Sequence, residues 1–122
     1  MGKSLIQEKS FRFALQVIHV YQKLQCEKEF VISKQLLRSG TSIGANVEEA
    51  LAAQSRKDFL SKMSIASKEA RETRYWLKLL QSSSLTSQDL TTTLADADEI
   101  IRIVTAIVKT TAQEPSNLKL KT

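Results

Sequence analysis

Glycine and proline, the residues that make tight turns, are scarce here: three glycines and one proline in 122 residues. A fold of many short strands joined by such turns is not expected. A single cysteine, Cys26, leaves no partner for an internal disulfide, which fits a reducing compartment. With one histidine, His19, beside that one cysteine, the nitrogen and sulfur ligands of a metal site cannot be assembled. No metal or cofactor is expected. No apolar run approaches the ~18 residues of a membrane span. No charged start followed by an apolar stretch reads as a signal peptide. Ile6 breaks the myristoylation pattern after Met1-Gly2. These absences predict a cytoplasmic protein with no membrane partner.

What is present is an ordinary soluble balance, 42% hydrophobic and 25% charged, with a net charge of +5. That length and balance suit one domain. It is expected over 1–114, with 115–122 as a flexible basic tail.

The stretch "RSGTSIGANVEEA", Arg38 to Ala50, has the composition of a loop. Its apolar and small residues nevertheless keep a helical register. Leu36, Gly40, Ile43, Val47, Ala50 and Gln54 recur at steps of four and three, as in a helix packed in a left-handed bundle. A phosphate cradle would need a Gly-Lys-Ser/Thr ending and a preceding strand, and neither is there. In a helix interior Gly40 and Gly44 each cost about 1 kcal/mol relative to alanine. Close approach of a neighbouring backbone or a bulky ring is the expected compensation.

Three further helices follow from the same spacing. The first runs from Ser4 to Leu24, with Phe11, Leu15 and Ile18 on one stripe and Phe13, Val17, Val20 and Leu24 on another. Its apolar arc is wider than a lone bundle needs. A short connection leads to Ser33 as N-cap of the second helix. Ser55, with Asp58 three residues on, caps the third. That helix carries Phe59, Met63, Ala66, Ala70, Thr73, Leu77 and Leu80 at four-three steps. Thr86 with Asp89 repeats the cap before Leu90, Leu94, Ala97, Ile101, Val104, Val108 and Thr111, and Pro115 ends the series. Four amphipathic helices with short connections predict an all-α, antiparallel, up-down-up-down four-helix bundle.

"QLLRSGTSIGANVEEA" followed by "SRKDFLSKMSIASKEARETRYWLKLL" resembles the bacterial four-helix-bundle family of 23S rRNA intervening-sequence proteins. Relatives of that family serve as accessory proteins to the reverse transcriptases of diversity-generating retroelements. The match is dense from Gln35 to Leu80 and looser in the flanking helices. The resemblance implies a ring-like homo-oligomer, a pentamer in characterised relatives. It also implies a basic surface for nucleic acid and a reverse transcriptase as possible protein partner, with no catalytic residue.

Two constellations remain. Arg38, Ser42, Asn46 and Glu49 share one face of the second helix. Arg38 and Glu49 lie roughly 16 Å apart along it, so their partners must come from elsewhere. Glu69 and Glu72 on the third helix are available to Arg38. Without a nucleophile and base among them, a structural polar network of Arg38, Asn46, Glu49, Glu69 and Glu72 is the expected reading. The third helix also carries Lys57, Lys68, Arg71, Tyr75 and Lys78 opposite its apolar stripe, with Arg56 and Arg74 at the margin. From Ser55 to Ser82 seven Lys or Arg face three Asp or Glu, a net of +4, against −2 for Thr86 to Ala112. Lys57, Lys68, Arg71, Arg74 and Lys78 suit phosphate contact, with Tyr75 available to stack on an unpaired base. The expectation is a non-enzymatic homo-oligomer that binds RNA or DNA through this face. The alternative is a structural or adaptor oligomer that recruits proteins and binds no nucleic acid.

Overall fold

The computed structural model describes residues 4–114. The predicted basic tail 115–122, with Pro115 as helix terminator, lies outside the described residues. Within them the chain forms four helices: α1 (Leu5–Cys26), α2 (Ile32–Leu51), α3 (Arg56–Ser82) and α4 (Thr91–Gln113).

Two of the four expected starts are right. The Ser4 hydroxyl accepts from the Gln7 N–H at 3.0 Å, and Ser55 accepts from the Asp58 N–H at 3.0 Å. Each satisfies one of the orphan donors at a helix start.

Ser33 is not the cap of α2. It is buried inside the first turn, and its hydroxyl donates back to the Glu29 carbonyl at 2.8 Å. The Glu29 carboxylate does the capping instead. It accepts from the N–H groups of Val31, Ile32 and Ser33 at 3.1, 3.0 and 2.6 Å. One two-oxygen anion covers three donors, which a single hydroxyl cannot do.

Thr86 is likewise diverted. It donates to Glu27 at 2.6 Å, and Ser87 donates to the same carboxylate from its N–H and hydroxyl at 3.0 Å. α4 therefore starts only at Thr91, where Asp89 accepts from the Thr91 N–H. At the other boundary, α2 ends at Leu51 and leaves Gln54, the last residue of its expected stripe, exposed in the connection.

Cross-helix contacts fix the topology. Gln7 meets Glu48 and Gln25 meets Ser33 between α1 and α2. Between α2 and α3, Arg38 meets Glu72 and Glu49 meets Lys62. Arg56 meets Thr111 and Arg74 meets Asp98 between α3 and α4, while Lys9 meets Glu99 and Gln16 meets Asp96 across α1 and α4. In every pair one number rises as the other falls, so each neighbour runs antiparallel and α4 closes back on α1. The bundle is up-down-up-down. Its core holds Phe13, Val17, Leu24, Leu36, Ile43, Val47, Met63, Leu77, Leu80 and Val104, each almost fully buried.

The two helical glycines differ in what they permit. A Cβ on Gly40 would sit 2.7 Å from both methyls of Val17 and 3.1 Å from its Cβ. There α1 lies against the α2 backbone, and the neighbour is a branched aliphatic rather than a ring. A Cβ on Gly44 would meet the Ser10 carbonyl oxygen at an ordinary 3.5 Å.

Candidate nucleic-acid interface

The outer face of α3 is built by helical period alone. With Phe59, Met63, Ala66, Ala70, Thr73, Leu77 and Leu80 turned inward, the opposite side must carry Lys57, Lys68, Arg71, Tyr75 and Lys78. All five are exposed. Lys57 and Lys78 are twenty-one residues apart, so the row extends about 32 Å along the helix.

Among the described residues Lys57, Lys68, Arg71 and Lys78 have no acidic partner. The remaining cations of α3 are committed. Lys62 pairs with Glu49 at 3.0 Å and Arg74 with Asp98 at 3.0 Å. Arg56, placed by sequence at the margin of the basic face, turns instead to the end of α4. It donates through Nε and Nη2 to the Thr111 carbonyl at 3.1 and 2.6 Å, and also to the Glu114 carbonyl. It serves as a C-cap for the neighbouring helix.

At the α4-side edge of this face lies a groove of about 310 Å³ lined by Arg71, Arg74, Tyr75, Lys78, Leu79 and Ser82. Four of the six expected interface residues meet there. Lys57 and Lys68 lie farther along the helix. Arg71 is steadied by donating to the Thr105 hydroxyl at 3.0 Å. Leu79 and Ser82 carry no charge, so charge patterning along the sequence does not reveal them. The available signal was Leu79 at four residues from Tyr75, the spacing of side-chain neighbours on a helix.

The second constellation divides. Arg38 bridges α2 to α3 by donating to Glu69 at 3.2 Å and to Glu72. Glu72 also accepts from the Trp76 indole N–H at 3.0 Å. The Arg38 bond, then the indole bond, hold the Glu72 carboxyl below the ordinary glutamate range. Asn46 and Glu49 are not part of this cluster. Asn46 donates to the Ser42 carbonyl of its own helix at 2.9 Å, and Glu49 takes Lys62. They lie roughly 12 and 16 Å farther along α2 than Arg38, out of reach of its cluster, and so find other partners. Beneath the bridge, the buried Thr73 and Ser39 hydroxyls are linked at 2.8 Å.

His19 and Cys26 are both exposed. Of the two apolar stripes on α1, Phe13, Val17, Val20 and Leu24 enter the core, whereas Phe11, Leu15 and Ile18 remain 64%, 48% and 37% exposed. No helix among the described residues is long and apolar enough to cross a membrane.

With this geometry in place, likeness to known proteins becomes informative. The model of the 23S rRNA-intervening sequence protein family matches residues 3–106. A 1.70 Å crystal structure from Bacteroides thetaiotaomicron, described as a protein with unknown function from the S23 ribosomal protein family, is 46% identical in sequence. The alignment covers 86% of this chain and 99% of that one, with a TM-score of 0.82. No curated protein matches the chain.

Proposed function

The chain belongs to the 23S rRNA-intervening sequence protein family, and from that premise we propose that it is a non-enzymatic homo-oligomer that binds RNA or DNA through the outer face of α3. One observation carries the reading: Lys57, Lys68, Arg71 and Lys78 extend along one helix with no acidic partner among the described residues. Cations spaced along a rod can each meet a phosphate and release its counterion. Phosphate contacts position a strand but read no sequence, so sequence preference is weak.

Self-association rests on Phe11, Leu15 and Ile18, which are apolar, exposed and contiguous on α1. Water-facing apolar rows of this kind favour burial against another copy. A ring, of five copies as the resemblance implies, repeats the basic row into a belt and raises affinity through multivalency. A nucleic-acid enzyme such as a reverse transcriptase is the protein partner the same resemblance suggests.

A gel-shift titration against a structured RNA and a single-stranded DNA tests the binding. Affinity should fall steeply with salt, by about three to four powers of the salt concentration for four phosphate contacts. The double variant Lys68→Glu/Arg71→Glu should abolish the shift and leave the melting transition in place. A flat salt response would contradict the reading. The α1 row also supports an adaptor that recruits proteins alone, and absence of any shift with either nucleic acid would favour it.

A further inference from the structure

Phosphate contact needs only the cations, yet the α3 face also contains a pocket of different chemistry. Tyr75 is 55% exposed and Leu79 38%, so an aromatic ring and an aliphatic side chain stand together in water inside a ring of charge. Both line the groove whose other walls are Arg71, Arg74, Lys78 and Ser82. An apolar wall with an aromatic ring suits the flat face of a heterocycle. Guanidinium and ammonium groups within the same groove suit the phosphate beside it.

The groove is also preformed. The Tyr75 ring meets Trp76 edge to face, with centroids 5.2 Å apart and planes at 64°. Trp76 is itself tied through its indole N–H to Glu72, which Arg38 holds from α2. On the opposite wall Thr105 and Asp98 of α4 hold Arg71 and Arg74. Each guanidinium has five N–H donors, so donors remain for a ligand. Walls fixed in advance lower the ordering cost of binding.

We propose that this groove takes one unstacked nucleobase together with its phosphate, so that the protein selects unpaired strands over duplex. The inference rests on the nucleic-acid reading above and specifies its substrate. In a duplex every base face is covered by its neighbours, and a ring on the flank of a helix meets only edges and backbone. In a single strand the face of any base is available to Tyr75, without regard to sequence.

Four probes of equal phosphate number test it: single-stranded oligo(dT), oligo(U), a perfect duplex, and an abasic strand. Binding is read by anisotropy of labelled probes and by fluorescence of Trp76, the only tryptophan. Oligo(dT) and oligo(U) should bind about tenfold more tightly than the duplex and the abasic strand. They alone should alter Trp76 emission. Tyr75→Ala should lose roughly that tenfold, the size of one base–aromatic stack, and leave duplex and abasic binding unchanged. Tyr75→Phe should keep it.

If all four probes bind equally and Tyr75→Ala changes nothing, while Lys68→Glu/Arg71→Glu still abolishes binding, the base pocket is wrong and the phosphate-binding face stands. If no probe binds at all, the nucleic-acid function fails and takes the pocket with it. The exposed position of Tyr75 leaves the fold intact in both variants, which a thermal melt verifies.

Discussion

Two helical glycines four residues apart give the clearest test at the scale of single residues. Their cost in a helix was legible from sequence, but which of them is needed was not, because the answer lies in the facing helix. Val17 stands against Gly40 through its branched Cβ as well as both methyls, and a β-branched side chain in a helix has one strongly preferred rotamer. Gly40→Ala should therefore destabilise the protein by about 1–3 kcal/mol, as overpacking does. Gly44→Ala meets only ordinary contact and should be neutral or stabilising by up to about 1 kcal/mol. Urea denaturation of both variants tests the contrast, and equal losses would contradict the difference in packing. Glu29 carries a second residue-scale prediction. Burial raises its carboxyl, but the N–H bonds from Ile32, Ser33 and Val31 together outweigh that and leave it below the ordinary glutamate range. A carboxyl lowered in the folded state adds stability that is complete above the unfolded glutamate range and disappears as pH falls through the folded value. Glu29→Gln should thus cost about 1–2 kcal/mol at neutral pH, the size of a lost helix cap. The gap between variant and parent should close on acidification below the ordinary glutamate range. A thermal-melt difference that stays constant with pH would show that the charge is not what matters.

At the scale of helices, periodicity and capping had unequal success in the sequence. Four-three spacing identified all four helices because burial of one face is a property of the whole segment and survives individual exceptions. Caps depend on one side chain finding one backbone group. Ser33 and Thr86 have the right chemistry, yet Ser33 serves the Glu29 carbonyl and Thr86 serves Glu27. Both acceptors lie beyond the three-residue reach on which cap patterns are based. The same limit hid the role of Arg56, whose acceptors are fifty-five and fifty-eight residues away. Sequence places it at the margin of the basic face, while the fold assigns it to the end of α4. Arg56→Ala should therefore lower the melting temperature by several degrees, as loss of charged hydrogen bonds at about 1.5–3 kcal/mol implies. Hydrogen exchange should speed up over the last turn of α4, since exchange reports local opening. Nucleic-acid affinity should not change. Lys68→Ala should do the opposite, weakening binding by one phosphate contact with no shift in the melt. If Arg56→Ala weakened binding as much as Lys68→Ala, the division of α3's cations between neighbouring helix and ligand would be wrong.

The whole molecule poses a question that no single helix answers: why α1 keeps a second apolar stripe. The core is complete without it, since Phe13, Val17, Val20 and Leu24 already fill the α1 side of the bundle. The excess was visible in the sequence as an arc too wide for one neighbour, but its location required knowing which stripe α2 and α4 cover. Phe11, Leu15 and Ile18 are left over, so a charge placed among them should cost the isolated bundle little and an assembly much. Leu15→Glu is the direct test. Light scattering at micromolar concentration should fall from an oligomer to a 13.7 kDa particle, with helix content unchanged by circular dichroism. Affinity for a long nucleic acid should then drop by about 10²–10⁴, the range gained when linked sites act together. Affinity for a short oligonucleotide occupying one copy should hold. The two probes separate the contributions, because avidity depends on copies acting together whereas each α3 face is intact in the variant. A parent protein that already scatters as a single 13.7 kDa particle would remove the reason for the second stripe and the belt built upon it.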